Sequence, residues 1–386
     1  MNKGRLLKLT SLLLIPFLLT GCWDSVELNE RHVVLELALD KNKKVDSALP
    51  IREKKAYKVT YCVPDMQKLS GEDSLSENVK TNITTESVSM ATSIDEIETK
   101  TQNTVSFSNT KALIVGEEFI KDKKLFKGAL EALLRDMSMS RSTLLLATYG
   151  EAGELTKGEN PQNPLIGMYV MKYFNNRERP TSYAKGQMLG NIVKELNDTG
   201  ITTLPIITKN VEDTLQIKGA ALIKDYSLVD YLDQEVVRGQ LFVEGKIKGV
   251  PLVIDFKGIP LTYIIKNEKS KISFDSLTSR NEGLIRIHTI GDITEYLPRA
   301  NEGPLTPNDL QVVKGLLEAE IQKQVLETIR VSKALNVDFL NIGLEMYRKK
   351  PQLWKEYNAL WEKEGYKDFP LRVEVNATIQ NTGAIQ

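Results

Sequence analysis

The residue with the clearest chemistry is Cys22, at the end of the run Leu19-Thr20-Gly21-Cys22. A thiol in that setting is a nucleophile that can take a diacylglyceryl group. Thr20 and Gly21 are small enough to pass through a processing site behind it. The cations Lys3, Arg5 and Lys8 precede an apolar stretch over 12–19 that Pro16 interrupts. A membrane-crossing helix needs about 20 predominantly apolar residues, so residues 1–21 read as a cleavable lipoprotein signal. Cys22 is then the lipid attachment residue and the first residue of the mature chain. Burial contributes about 0.8 kcal/mol per methylene, and two acyl chains reach the threshold for stable anchoring. The expectation is a folded body tethered to a membrane, with Trp23 either resting at headgroup level or simply packed against the body.

The rest of the chain offers little for catalysis. His32 and His288 are the only imidazoles, too few for a histidine-rich metal site, and neither has a ligand at metal-binding spacing. In Ile285-Arg286-Ile287-His288-Thr289 the alternation puts His288 beside Arg286 on a polar strand face, which reads as a solvated histidine rather than a general base. Gly186-Gln187-Met188-Leu189-Gly190 lacks both the lysine and the preceding strand of a phosphate loop. Asp292 and Glu295 could pair like glycosidase carboxylates, but with 51 acidic residues such pairs arise by chance. We expect no catalytic, metal-binding or cofactor-binding residues and no enzyme activity. With Cys22 acylated, Cys62 has no disulfide partner within the chain and reads as a small buried strand residue. Trp354, Tyr357 and Trp361 fall at helical spacing and read as core.

These residues need a scaffold of more than one domain. Lys plus Arg equals Asp plus Glu at 51 each, so no global field favours nucleic acid. The residues after Cys22 exceed one typical core. Residues 33–39 and 56–63 read as strands, and Ile83, Ser87, Met90, Ile94 and Ile97 as one helical row. A strand at 112–115, a helix carrying Phe119 to Leu134 and a strand at 143–148 follow. Ala184, Met188, Ile192 and Leu196 then make another helical row before a strand at 204–207. Between 214 and 266 short apolar runs are punctuated by glycines, with a helix over 228–238 capped by Ser227 and stopped by Gly239. In the last third Val313, Leu317, Ile321, Val325 and Ile329 repeat every four residues behind Thr306-Pro307-Asn308-Asp309. Phe369 to Ile379 alternates like a strand with one wet face. The expected fold is α+β: a signal at 1–21, an N-terminal α/β domain at 22–210, a small sheet-rich middle domain at 211–267, and a C-terminal domain at 268–386 with a long helix on an antiparallel sheet.

Several of these fragments resemble one family, the Ger(x)C spore-germination lipoproteins, which are C subunits of nutrient germinant receptors. They are Thr20-Gly21-Cys22-Trp23-Asp24 with Glu27-Leu28-Asn29; Lys218-Gly219-Ala220-Ala221 with Tyr231-Leu232-Asp233 and Arg238-Gly239; and Asp338-Phe339, Gly343, Tyr347, Pro351, Trp354 and Thr382-Gly383. Departures are Leu35-Glu36-Leu37-Ala38, where the family often has a glycine-containing turn, and Asn341, where it often has glycine. The resemblance implies a non-enzymatic receptor subunit, lipid-anchored on the outer face of the spore inner membrane. Its partners would be a permease-like subunit and another membrane subunit. The competing reading is a lipid-anchored solute-binding protein of a transporter, which would need two α/β lobes; the last third lacks the repeated alternation of such a lobe.

Overall fold

The computed structural model describes residues 31–382 apart from 46–47, 66–67, 69–78, 102–103, 136–138, 158–163, 176–181, 276–280 and 297–303. Two short strands, β1 (Arg31–Val33) and β5 (Thr104–Ser106), pair in parallel. Eight more make one large sheet: β2 (Glu36–Lys41), β3 (Tyr57–Pro64), β4 (Lys80–Ser87), β6 (Ala112–Val115), β7 (Leu144–Ala147), β8 (Ile201–Lys209), β9 (Leu215–Lys224) and β10 (Ser227–Leu232). Their order is β10-β9-β8-β7-β6-β2-β3-β4. The four central strands β2, β6, β7 and β8 are parallel and the flanking pairs antiparallel. Every residue of β6 and β7 is buried, as befits parallel strands covered on both faces.

Helices supply that cover. On one face, α1 (Met90–Lys100), α2 (Glu117–Lys121), α3 (Lys123–Arg135) and α6 (Leu189–Asp198) bury Ile97, Phe119, Phe126, Leu130 and Ile192. On the other, α4 (Ala152–Lys157) and α5 (Ile166–Asn175) bury Ala152, Ile166 and Val170. Two buried carboxylates on β2 fasten α4 and α5. Asp40 accepts from the Ala152 and Gly153 amides, each at 2.7 Å, and Glu36 accepts from the Gly167 amide. Free N–H groups at a helix start need such acceptors.

The second sheet has the order β11-β12-β13-β14, formed by β11 (Val250–Phe256), β12 (Ile259–Asp275), β13 (Glu282–Tyr296) and β14 (Leu371–Asn381). It is packed by α7 (Gln234–Val243), the long α8 (Pro307–Leu335), α9 (Ile342–Lys349) and α10 (Pro351–Leu360). A π turn over Trp361–Gly365 and a short α11 (Tyr366–Asp368) lead into β14. The row Val313, Leu317, Ile321, Val325 and Ile329 is at most 6% exposed. Thr306 caps α8 in a reciprocal pair with Asp309, behind Pro307. From the same helix Gln322 donates to the Val373 carbonyl at 2.8 Å and Glu318 accepts from the Ala377 amide at 3.0 Å, covering the free edge of β14.

Four readings of local structure are corrected. The second sheet is mixed rather than antiparallel, because β13 and β14 run parallel; the helices between them return the chain to its starting end, as a parallel pairing requires. Ile83 and Ser87 belong to β4, and α1 begins only at Met90, behind the cap Ser89. Residues 227–232 form β10, so the following helix starts at Gln234 with Asp233 as its cap, accepting from the Glu235 and Val236 amides. Gly239 lies inside that helix: a Cβ there would meet Thr328 Oγ1 at 1.9 Å, so the glycine allows α7 and α8 to touch. The stretch 211–267 is shared between sheets, β9 and β10 completing the first while β11 and part of β12 begin the second. Ala220, Leu222 and Leu232 of β9 and β10 join the core of the second unit, which makes one apolar contact between the two.

Candidate functional site

Cys22 and Trp23 lie outside the described residues. Cys62 is fully buried on β3, and burial pushes its thiol far above the ordinary range. His288 stands on β13 in register with Lys269 and Asn376, and Asp292 forms an ion pair with Lys266. Glu295 accepts from Thr262 at 3.1 Å, which commits it to its own sheet. Trp361 is 5% exposed and sits among Trp354, Tyr357, Tyr366 and Phe369 with ring centroids 5.4–6.4 Å away. The aromatic row is therefore core, with Trp354 and Tyr357 half-buried against it.

A cleft of about 690 Å³ opens between the two units. One wall comes from the end of α6, at Asp198, with the turn into β8, and from the β9–β10 hairpin tip, which carries Asp225. The other comes from α9, α10 and the π turn, with Tyr347, Arg348, Trp354 and Trp361. The hairpin tip is fixed by its backbone: Asp225 and Tyr226 have φ of 50° and 65°, and Lys224 pairs directly with Ser227. That is the two-residue hairpin geometry that asparagine and glycine normally occupy. The Asp225 amide donates to the Gly200 carbonyl at 2.7 Å, tying the tip to the α6–β8 turn.

The opposite wall is organised by Asp338. Its carboxylate accepts from the Ile342 amide at 2.9 Å, the Gly343 amide at 2.7 Å and the Trp361 indole at 3.1 Å. Burial pushes this carboxyl up to about 6 against the pull of those donors. Gly343 makes the arrangement possible, since a Cβ there would meet Trp361 Nε1 at 2.5 Å. Asn341, in a position where the family often has glycine, has φ of 60°, a conformation glycine and asparagine tolerate best. Asn336 ends α8 with φ of 50° and donates to the Glu362 and Lys363 carbonyls at 2.9 and 2.7 Å. Lys224 and Glu362 meet across the cleft at 3.4 Å.

Beside the cleft the units are joined by a buried polar cluster whose members carry no distinguishing spacing in the sequence. Lys185 lies 3.0 Å from Glu244, at the end of α7, and 3.3 Å from Glu195 on α6. Gln187 donates to Glu195 at 2.9 Å, and Gln240 to Glu244 at 2.8 Å. Desolvation works against the Lys185 ammonium, but the two carboxylates outweigh it and hold its pKa above the ordinary value. Within the segment 186–190, Gln187 thus holds Glu195, one carboxylate of this cluster.

The comparisons with known proteins fit this two-part body. The family profile "Spore germination protein N-terminal domain" matches residues 24–209, and "Spore germination B3/ GerAC like, C-terminal" matches residues 218–383. The chain belongs to the Ger(x)C family of germinant receptor C subunits. It is similar to spore germination protein B3 of Bacillus subtilis (strain 168), with 23% identity over 384 residues and 95% of each chain covered. It is also similar to spore germination protein KC of the same organism, with 20% identity over 397 residues, 96% of this chain and 94% of that one. A solved structure titled "Crystal Structure of the GerBC protein" shares the fold with a TM-score of 0.58 at 19% identity, over 89% of this chain and 97% of that one. The two family segments meet in the β8–β9 hairpin, so the second begins with the strands that complete the first sheet.

Proposed function

We propose that this chain is the lipid-anchored, non-enzymatic C subunit of a nutrient germinant receptor, needed for its assembly or signalling. A diacylglyceryl group on Cys22 holds the body on the outer face of the spore inner membrane, beside a permease-like subunit and another membrane subunit. The observation that carries this reading is the pairing of both family segments, in order, behind a signal that ends in Thr20-Gly21-Cys22. Tethering confines the body to a thin layer and raises its effective concentration at membrane partners, so individually weak contacts suffice. Among the described residues no helix is long and apolar enough to cross a membrane, which is consistent with attachment by the lipid. A transporter's solute-binding protein is disfavoured, because the second unit is a four-stranded sheet with helical cover rather than a second α/β lobe.

The test is genetic and chemical. Deletion of the chain is expected to abolish germination through its receptor, and Cys22→Ala to abolish fatty-acid labelling and detergent-phase partitioning. Normal nutrient germination in the deletion strain, together with no co-purification of membrane subunits, overturns the receptor assignment.

A further inference from the structure

The connection between β2 and β3 is strongly basic in a chain whose charges otherwise balance. Residues 41–58 hold seven cations against Asp46 and Glu53, while Lys plus Arg equals Asp plus Glu at 51 each over the whole sequence. Ion pairs neutralise part of this charge. Lys41 meets Asp122 at 3.0 Å, Lys43 and Lys58 share Glu151 at 3.0 and 2.7 Å, and Arg52 lies 3.6 Å from Glu53. With Asp46 counted as well, these carboxylates leave a surplus of three positive charges. Lys44, Lys54 and Lys55 have no ion-pair partner among the described residues. A charge run alone reads as a solvated surface, and a lone exposed leucine says as little. Here the run brackets an apolar tip: Ala48, Leu49 and Pro50 are all exposed, Leu49 at 38%, with cations on both sides in the sequence. The base of this loop is braced. Buried Asn42 donates through Nδ2 to the Lys55 carbonyl and through its amide to the Ala56 carbonyl, each at 2.9 Å. Behind the tip a turn over Ile51–Glu53 returns the chain, the Glu53 amide donating to the Pro50 carbonyl at 2.9 Å.

An apolar tip ringed by lysine and arginine matches the boundary of an anionic bilayer, where the tip enters the acyl region and the cations stay at the phosphates. We propose that the β2–β3 loop is a second membrane contact of this chain, docking through Leu49, Lys44, Arg52 and Lys55 on an anionic lipid surface. The assignment deepens the receptor reading and rests on its lipid anchor, which brings the loop to a bilayer. Chain length permits both contacts at once. A tether of residues 22–30 reaches at most ~30 Å, and residues 31–41 span ~35 Å, so both meet one surface when β2 lies along it. One acyl anchor plus a polybasic patch is a recognised pair of membrane signals, and here the patch would orient a body that the anchor alone leaves free to turn.

The experiment uses the full mature chain added to preformed vesicles of phosphatidylcholine, with or without phosphatidylglycerol. Leu49→Cys carries an environment-sensitive nitrobenzoxadiazole probe, since Cys62 is buried and the anchor consumes Cys22. Val211→Cys is the control, 106% exposed on the β8–β9 hairpin tip beside Glu212 and Asp213. With phosphatidylglycerol the probe at position 49 should shift to the blue and lose quenching by aqueous iodide, and high salt should reverse both. The probe at position 211 should do neither. Lys44→Gln, Arg52→Gln and Lys55→Gln each remove an exposed charge and should each lower the docked-to-undocked ratio about fivefold, the scale of one cation at an anionic surface. The triple variant should lose the shift. No shift at position 49, an equal shift on phosphatidylcholine alone, a shift unchanged in the triple variant, or the same shift produced by DNA or polyglutamate without lipid would each overturn the proposal. The anchor is read separately. A chain that takes up label at Cys22 and fails to float with phosphatidylcholine vesicles refutes the anchor; the Leu49→Cys probe is then read in a Cys22→Ser background on phosphatidylglycerol vesicles, and its shift still decides for or against the loop.

Discussion

The contact between α7 and α8 can be tested by one substitution made at two places. Gly239 lies in the interior of α7 and Gly315 in the interior of α8, so Gly→Ala brings both the same intrinsic gain in helix propensity, about 1 kcal/mol. Their surroundings differ. Around Gly315 nothing lies within 4 Å of an added Cβ. At Gly239 the new methyl would sit 1.9 Å from Thr328 Oγ1 and 2.8 Å from the Gln324 carbonyl oxygen. The second neighbour is backbone, which cannot step aside. Thr328 is fully buried and donates to the Val236 carbonyl at 3.1 Å, so moving it costs the hydrogen bond between the two helices.

Overpacking costs about 1–3 kcal/mol and the lost hydrogen bond about 1 kcal/mol, against which the propensity gain returns about 1. Gly239→Ala is therefore expected to destabilise by roughly 1–3 kcal/mol, and Gly315→Ala to stabilise by about 0.5–1 kcal/mol. Urea unfolding followed by tryptophan fluorescence reports on the right region, because Trp354 and Trp361 pack in the same core as α7 and α8. The readout is a shift of the midpoint at constant slope, to lower urea for one variant and higher for the other. Two variants shifted in the same direction by similar amounts would refute the close packing of these helices and the role assigned to Gly239.

Glu268 is buried on β12, where desolvation pushes its carboxyl from the ordinary 4.5 up to about 8, opposed by the Ile247 amide. Across that window the folded chain holds a proton the unfolded chain has lost, so this group's contribution to stability falls as pH rises from about 4.5 to about 8. Glu268→Gln should flatten the decline and be the more stable protein at pH 9 by a few kcal/mol in urea titrations; a Gln variant weaker than the parent at both pH 5 and pH 9 would contradict this. If Cys22 carries the proposed lipid, a thiol reagent should find no reactive cysteine in the native protein and one, Cys62, after denaturation, because Cys62 is fully buried. One reactive thiol in the native protein would mean that Cys22 is free or Cys62 accessible. Lys185→Met leaves Glu195 without its cation and Glu244 with only the more exposed Lys246, 2.7 Å away, and should cost up to about 3 kcal/mol, part of which Glu244→Gln recovers in the double variant. Melts in which the double variant is weaker than Lys185→Met would refute the pairing.

The long helix and the fully buried strands were readable because one periodicity dominates each. Val313 to Ile329 recurs every four residues, and 112–115 is apolar throughout. The readings failed where two periods fit the same residues. Ile83 and Ser87 stand four apart, which suits one helical face and equally one face of a strand. Leu228, Tyr231 and Leu232 look helical at spacings of three and four, yet they lie on β10, because the preceding hairpin closes on Asp225-Tyr226 rather than on the asparagine and glycine that usually announce such a turn. Alternation in 369–379 reveals a strand but not its direction, since side chains alternate alike in parallel and antiparallel pairs.

The family fragments were legible without their reasons. Gly219 has φ of 73°, and a Cβ there would meet the Leu232 carbonyl; Asp233 caps α7, and Asp338 with Gly343 holds Trp361. These residues build the joint between the two units. The cleft beside that joint left no pattern, because its walls come from turns more than 100 positions apart. Its trace in the sequence lies in two choices that local rules disfavour, an aspartate ending a helix and a tyrosine at the second position of a tight hairpin. Each looks like noise until the fold brings both to the same opening.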